Sequence, residues 1–161
     1  MANSKNHVFL ILSDYVSEAL LRLYHQINAA TSSYGSTFIV YHNRSGLPEP
    51  KLKGYQVYEF TDAILTDFGY TSIRSTLVPG SNHFPILQFY VDNAEFDYYW
   101  CIEDDVVFTG DWSSLFNPFV NDSKHDFLSS YIKHYKEQVN PDLYFCVYKE
   151  NLLCENIWLG L

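Results

Sequence analysis

Residues 7–12, HVFLIL, are apolar at five consecutive positions from Val8 to Leu12, and this run constrains the fold more than any other feature of the chain. A strand with one face in water alternates polar and apolar residues. An unbroken run of strand length belongs instead to a strand buried on both faces, as in parallel sheets covered by helices on each side. The residues beyond it fit that arrangement. Val16, Ala19, Leu20, Leu23, Ile27 and Ala30 recur at helical spacing, with Glu18 in the first turn, where the helix dipole favours an acid. Ser13 and Asp14 can cap the start and Gly35 marks the exit. The next run, STFIVYHN (36–43), is β-branched and aromatic, so the order is strand, helix, strand.

The pattern continues downstream. YQVYEF (55–60) reads as a third strand, and residues 61–82 as a helical turn plus a loop. A second helix is predicted from a Ser81 or Asn82 cap, Pro85 in the first turn, and a stripe of Ile86, Leu87, Tyr90, Val91 and Ala94. DYYWCI (97–102) reads as a buried strand with Cys101 in the core. After Gly110, the residues Trp112, Leu115, Phe116 and Phe119 suggest a short docked helix, and Trp112 is expected to pack. Residues 125–135 suggest another strand, and the tail a strand followed by a helix or hairpin. The expected class is α/β, with a mostly parallel central sheet flanked by helices. At 161 residues, 47% of them hydrophobic, the chain is read as a single domain, 1–161, with no internal repeat or dividing linker.

Charge narrows the partners. Nineteen acidic and ten scattered basic residues give a net charge of -9, which argues against nucleic acid, since a phosphate backbone needs clustered Lys and Arg. An anionic ligand would then need a metal or helix N-termini. No apolar window is long enough for a transmembrane segment, and the first apolar run is broken by Asp14 too early for a signal peptide. Cys101, Cys146 and Cys154 are odd in number, so reduced thiols and a cytoplasmic setting are expected. The six histidines show no zinc-ligand spacing.

The chemistry concentrates in YYWCIEDDVVFTGDW, where an apolar strand runs directly into Glu103, Asp104 and Asp105. Three adjacent acids repel one another and resist desolvation unless a cation or donors offset them, so a positive partner is expected. In an open α/β sheet, ligands bind beyond the carboxyl ends of the strands, where this triplet falls. Magnesium and manganese ions sit on one or two carboxylates plus substrate phosphates.

This segment, extended through YYWCIEDDVVFTGDWSSLF, resembles the metal-site segment of GT-A-fold nucleotide-sugar glycosyltransferases, in the EDD form of the DxD motif seen in N-acetylglucosaminyltransferase-like members. The resemblance covers about twenty residues. It implies a GT-A-like fold, short or truncated, with a nucleotide-sugar-binding half over 1–112 and a partial acceptor half over 113–161. It also implies a nucleotide-sugar donor, a UDP-sugar being favoured, held through Mn²⁺ or Mg²⁺, and a carbohydrate or glycoconjugate acceptor. Asp105 and Glu103 are the metal residues it implies, Asp105 as the ligand and Glu103 in support of the loop, while Asp104 would lie towards ribose and sugar.

By topology, Ser13 and Asp14 after the first strand and His42, Asn43 and Arg44 after the second should border the same crevice and contact base and ribose; a helix cap and a polar turn are their structural alternatives. Arg74 and His83 could approach phosphate. The general base is open among Asp126, Glu137, Asp142, Glu150 and Glu155. A sugar-nucleotide pyrophosphorylase would carry a Gly-rich, Arg-containing loop where SDYVSEA stands, and a receiver domain an acidic pair there. The alternative function is a non-catalytic nucleotide- or partner-binding domain of transferase type.

Overall fold

The computed structural model describes residues 6–67, 69, 74–78, 81–120, 132–134 and 157–159. The chain forms two compact units, Met1–Ser123 and Lys124–Leu161.

In the first unit, β1 (His7–Ser13) leads through α1 (Glu18–Thr31) to β2 (Gly35–His42). A 3₁₀ turn at Pro50–Leu52 precedes β3 (Val57–Phe60) and the short α2 (Ile64–Asp67). Then come α3 (His83–Asp92), β4 (Tyr98–Glu103) and α4 (Trp112–Val120). The four strands form one all-parallel sheet in the order β3-β2-β1-β4, with Leu12 opposite Val40 on one side and Glu103 on the other. The chain therefore winds outward from β1 to β3 and returns to lay β4 on the opposite flank of β1. That reversal leaves a crevice at the carboxyl ends of β1 and β4.

The unbroken apolar run of β1 is explained by the pleat, which sends alternate residues to two separate cores. Phe9 and Ile11 pack with Leu20, Leu23 and Ile27 of α1 and Trp112 and Phe116 of α4. Val8 and Leu10 pack on the other face with Val40 and with Phe89 of α3. Each fully buried side chain of this size contributes roughly 1.5–3 kcal/mol, so the two-sided burial of β1 is the main anchor of the sheet. Gly35 is required at the start of β2, because a Cβ there would lie 2.1 Å from the His7 carbonyl oxygen.

Three local readings are corrected. The cap of α1 is Ser17, whose Oγ accepts from Leu20 N–H at 3.1 Å, and the helix starts after it. Ser13 instead ends β1, and Asp14 follows it in the loop before the helix. In α3 the packed face is Phe84, Pro85 and Phe89, while Tyr90, Val91 and Ala94 of the expected stripe are exposed. Nearly every residue of FPILQFYV is apolar, so the choice of face fell to the two phenyl rings; Phe89 meets Phe38 at 5.2 Å and Tyr58 at 5.1 Å between centroids. Finally, β4 is not fully buried: among the described residues it pairs with β1 alone, only Ile102 is buried, and Cys101 is exposed. Trp112 packs as expected.

In the second unit, β5 (Ile132–His134) pairs antiparallel with β6 (Ile157–Leu159), Lys133 lying opposite Trp158. Most of the strand expected over 125–135, and the helix or hairpin of the tail, lie outside the described residues. So do Cys146, Cys154 and all five candidate general bases. Among the described residues no helix is long and apolar enough to cross a membrane.

Candidate functional site: a carboxylate-lined cleft at the sheet's carboxyl edge

β1, β2 and β4 run parallel, so their last residues, Ser13, His42 and Glu103, emerge at one edge. A cleft of about 300 Å³ opens there. Leu12, Val40, Phe60 and Pro85 give it an apolar floor, and Ser13, Asp14, His42, Arg44, Asn82 and the three consecutive acids give it a polar rim.

Each acid is handled separately. The Val106 N–H returns to the Glu103 carbonyl at 3.2 Å, closing a tight turn with Asp104 and Asp105 at its two central positions. Asn82 Nδ2 donates to Glu103 Oε1 at 2.6 Å, tying the end of β4 to the start of α3. The Ser13 hydroxyl donates to Asp104 Oδ2 across the crevice between β1 and β4, while accepting the Tyr15 N–H at 3.2 Å. Asp105 is exposed and, among the described residues, has no hydrogen-bond or ion-pair partner. Glu103 and Asp104 thus accept from neutral donors, and the basic side chain that shares their cleft pairs with Asp14. Arg44 Nη2 lies 2.7 Å from Asp14 Oδ2.

His42 is buried and stacks on Phe60, with ring centroids 4.9 Å apart and planes 9° from parallel. Its Nδ1 accepts from Arg44 Nε at 3.4 Å, so Nε2 carries the proton. Nε2 is 3.1 Å from Asp62 Oδ1 without the alignment of a hydrogen bond. Burial lowers the imidazole pKa, Asp62 opposes that, and Arg44 adds to it; the net shift is downward and favours the neutral ring. Burial works to raise the Asp62 pKa, yet bonds from the Leu77 N–H and the Thr76 hydroxyl, together with His42, hold it below the usual carboxylate range.

The structure therefore brings Ser13, Asp14, His42, Glu103, Asp104 and Asp105 to one cleft. Asn43 is directed elsewhere, its amide donating to the Leu47 carbonyl at 3.0 Å and to Glu59 at 3.1 Å in the structural role of a polar turn. Arg74 and His83 are exposed and outside the lining. Two contributors were not read from the sequence. The sequence offers Asn82 as a helix cap, a bond its side chain does not make, and its contact with Glu103 spans an interval no local pattern reports. Asp62 had a signal: it lies just past the end of β3 as Asp14 lies just past the end of β1.

Among the described residues no three of His, Cys, Asp and Glu converge to hold a metal ion. That excludes a preformed cage among them. The donor chemistry fits the other type of magnesium or manganese site, in which one or two carboxylates are completed by substrate phosphate and water. Asp105, exposed on the cleft rim, has no hydrogen-bond or ion-pair partner among the described residues that would occupy its carboxylate.

Fold and cleft together define an open α/β domain with a crevice at its topological switch point. No family model matches the chain, and neither curated proteins nor solved structures give a match.

Proposed function

We propose that the chain is a nucleotide-sugar-binding domain of a metal-dependent glycosyltransferase, moving a sugar from a UDP-sugar to an acceptor hydroxyl. The observation that carries this reading is the cleft at the switch point, where the EDD turn meets Ser13 and Asp14 across the β1–β4 crevice. Its apolar floor can take a base or sugar ring, and its rim of carboxylates needs a divalent ion before a diphosphate can approach. That ion, Mn²⁺ or Mg²⁺, would supply a Lewis acid offsetting charge on the departing diphosphate. Asp105 would hold it, with Asp104 and Glu103 fixing the turn through Ser13 and Asn82. Asn82 and Pro85 also bring the positive end of the α3 dipole to the cleft.

Calorimetric titration with UDP, with and without Mn²⁺, tests the reading. Binding is expected only with the ion, and Asp105→Ala is expected to abolish it while leaving the circular dichroism spectrum unchanged. Equal UDP affinity with and without Mn²⁺, or an unaffected Asp105→Ala variant, would sink the assignment. Hydrolysis of the donor sugar by the intact chain would separate an enzyme from a non-catalytic nucleotide-binding domain.

A further inference from the structure

The cleft presents four carboxylates, Asp14, Glu103, Asp104 and Asp105, but Arg44 is the one Lys or Arg among the described residues that lines it. The acids differ in how firmly they are held. Glu103 and Asp104 take part in bonds that tie secondary-structure elements together, and releasing them would loosen β4 from α3 and from β1. The Asp14–Arg44 pair ties nothing of that kind. Its members are loop residues, 50% and 56% exposed, and an ion pair so open to water contributes little to stability. It can therefore be exchanged at little cost.

Arg44 is nonetheless oriented. Its Nε is directed at Nδ1 of His42, a ring fixed by burial and by stacking on Phe60. One edge of the guanidinium is thus steadied from behind, and Nη2 is engaged by Asp14 at the cleft rim. A planar fork of this kind matches phosphate oxygens as well as carboxylate oxygens, and binds either with charge-assisted bonds. Asp14 offers the same oxygens that an incoming phosphate would.

We propose that Arg44 is the anchor for a ligand phosphate and that Asp14 is its resting partner, displaced on binding, not a contact to base or ribose. This deepens, and rests on, the nucleotide-sugar reading of the same cleft. His42 is a positioning residue that sets the plane of Arg44 without touching ligand.

The test is calorimetry of the full chain with Mn²⁺ and three probes: UDP, inorganic pyrophosphate and uridine. Arg44→Ala is expected to weaken UDP and pyrophosphate by at least about tenfold, as loss of a charge-assisted contact does, and to leave uridine unmoved. Arg44→Lys, a point charge without the fork, should fall between wild type and Arg44→Ala. Asp14→Asn is the distinguishing variant. If Asp14 competes for Arg44, removing its charge should tighten both phosphate probes by about threefold, the scale of a half-exposed ion pair. Asp14→Asn also carries the test should Arg44→Ala fail to fold, which thermal melting will show. Arg44→Ala within twofold of wild type, or Asp14→Asn weakening UDP, overturns this proposal alone. Failure of the wild-type chain to bind UDP or pyrophosphate overturns the nucleotide reading and this proposal with it.

Discussion

The two ends of the parallel sheet dispose of their polar groups in opposite ways. At the amino end His7 is enclosed at 1% exposure, its Nδ1 accepting from Trp100 Nε1 at 3.1 Å and its Nε2 donating to the Val120 carbonyl at 2.9 Å. The ring also stacks on Tyr98, with centroids 5.0 Å apart. Its hydrogen-bonding capacity is consumed in joining β1, β4 and α4. At the carboxyl end the polar groups surround a cleft, and several keep bonding capacity in hand: Asp105 without a described partner, and Asp14 and Arg44 bound only to one another and to His42 among the described residues. Polar residues alone do not mark a site. Polar residues whose bonding is left over after the fold is built, gathered round a cleft, are the stronger candidates.

The largest expected effect lies at the amino end. His7→Ala would leave the Trp100 indole N–H and the Val120 carbonyl short of a partner beside a ring-sized cavity, and should cost about 3 to 5 kcal/mol in urea unfolding. If the enclosed end is purely structural, the folded fraction of that variant should still bind UDP with Mn²⁺ at wild-type affinity. A stability loss under about 1 kcal/mol would break the comparison, because it would mean that the enclosed network is no anchor.

A smaller effect is expected at His42, which shares features of both ends, being 4% exposed yet part of the cleft wall. Its pKa is lowered by burial and by Arg44 against the pull of Asp62 and, more weakly, of Asp14. The unfolded chain thus binds the proton more readily than the folded one, so folding stability rises with pH in this window. The contribution is fully present above the unfolded-state value of about 6.5 and is lost as pH falls through the lower folded-state value. The slope from this one proton cannot exceed about 1.4 kcal/mol per pH unit. His42→Gln should flatten the stability profile between pH 7 and 5, and a profile identical to wild type would show that the imidazole is not buried neutral. Asp62 adds loss of the same sign, but only at pH values in the carboxylate range.

The difference between the ends also explains what could be read in advance. The runs of β1 and β2 and the Leu20, Leu23 and Ile27 part of the α1 stripe were legible because burial on both faces, or on one helical face, writes itself into local spacing; Ala19, expected on the same stripe, is exposed. The buried face of α3 was not, since a helix apolar nearly all round has no preferred side until Phe84 and Phe89 meet their partners. The single-sided pairing of β4 was hidden for a similar reason, because the number of neighbours a strand acquires is not a local property. The cleft was legible in its acids, whose position after a strand is local, and in Ser13 and His42, whose position at strand ends is topological. The partners that tame the acids, Asn82 and Ser13, lie 21 and 91 residues away, and only folding brings them together.

The most direct measurement is paramagnetic broadening of backbone amide signals by Mn²⁺ in the presence of UDP. Resonances of Ser13, Asp14, Arg44, Asp104, Asp105 and Val106 should disappear at low ion concentration, while those of His7, Gly35 and Tyr98 at the opposite end of the same strands stay sharp. Broadening that is even along β1, or that begins at His7, would contradict a divalent-ion site at the carboxyl edge.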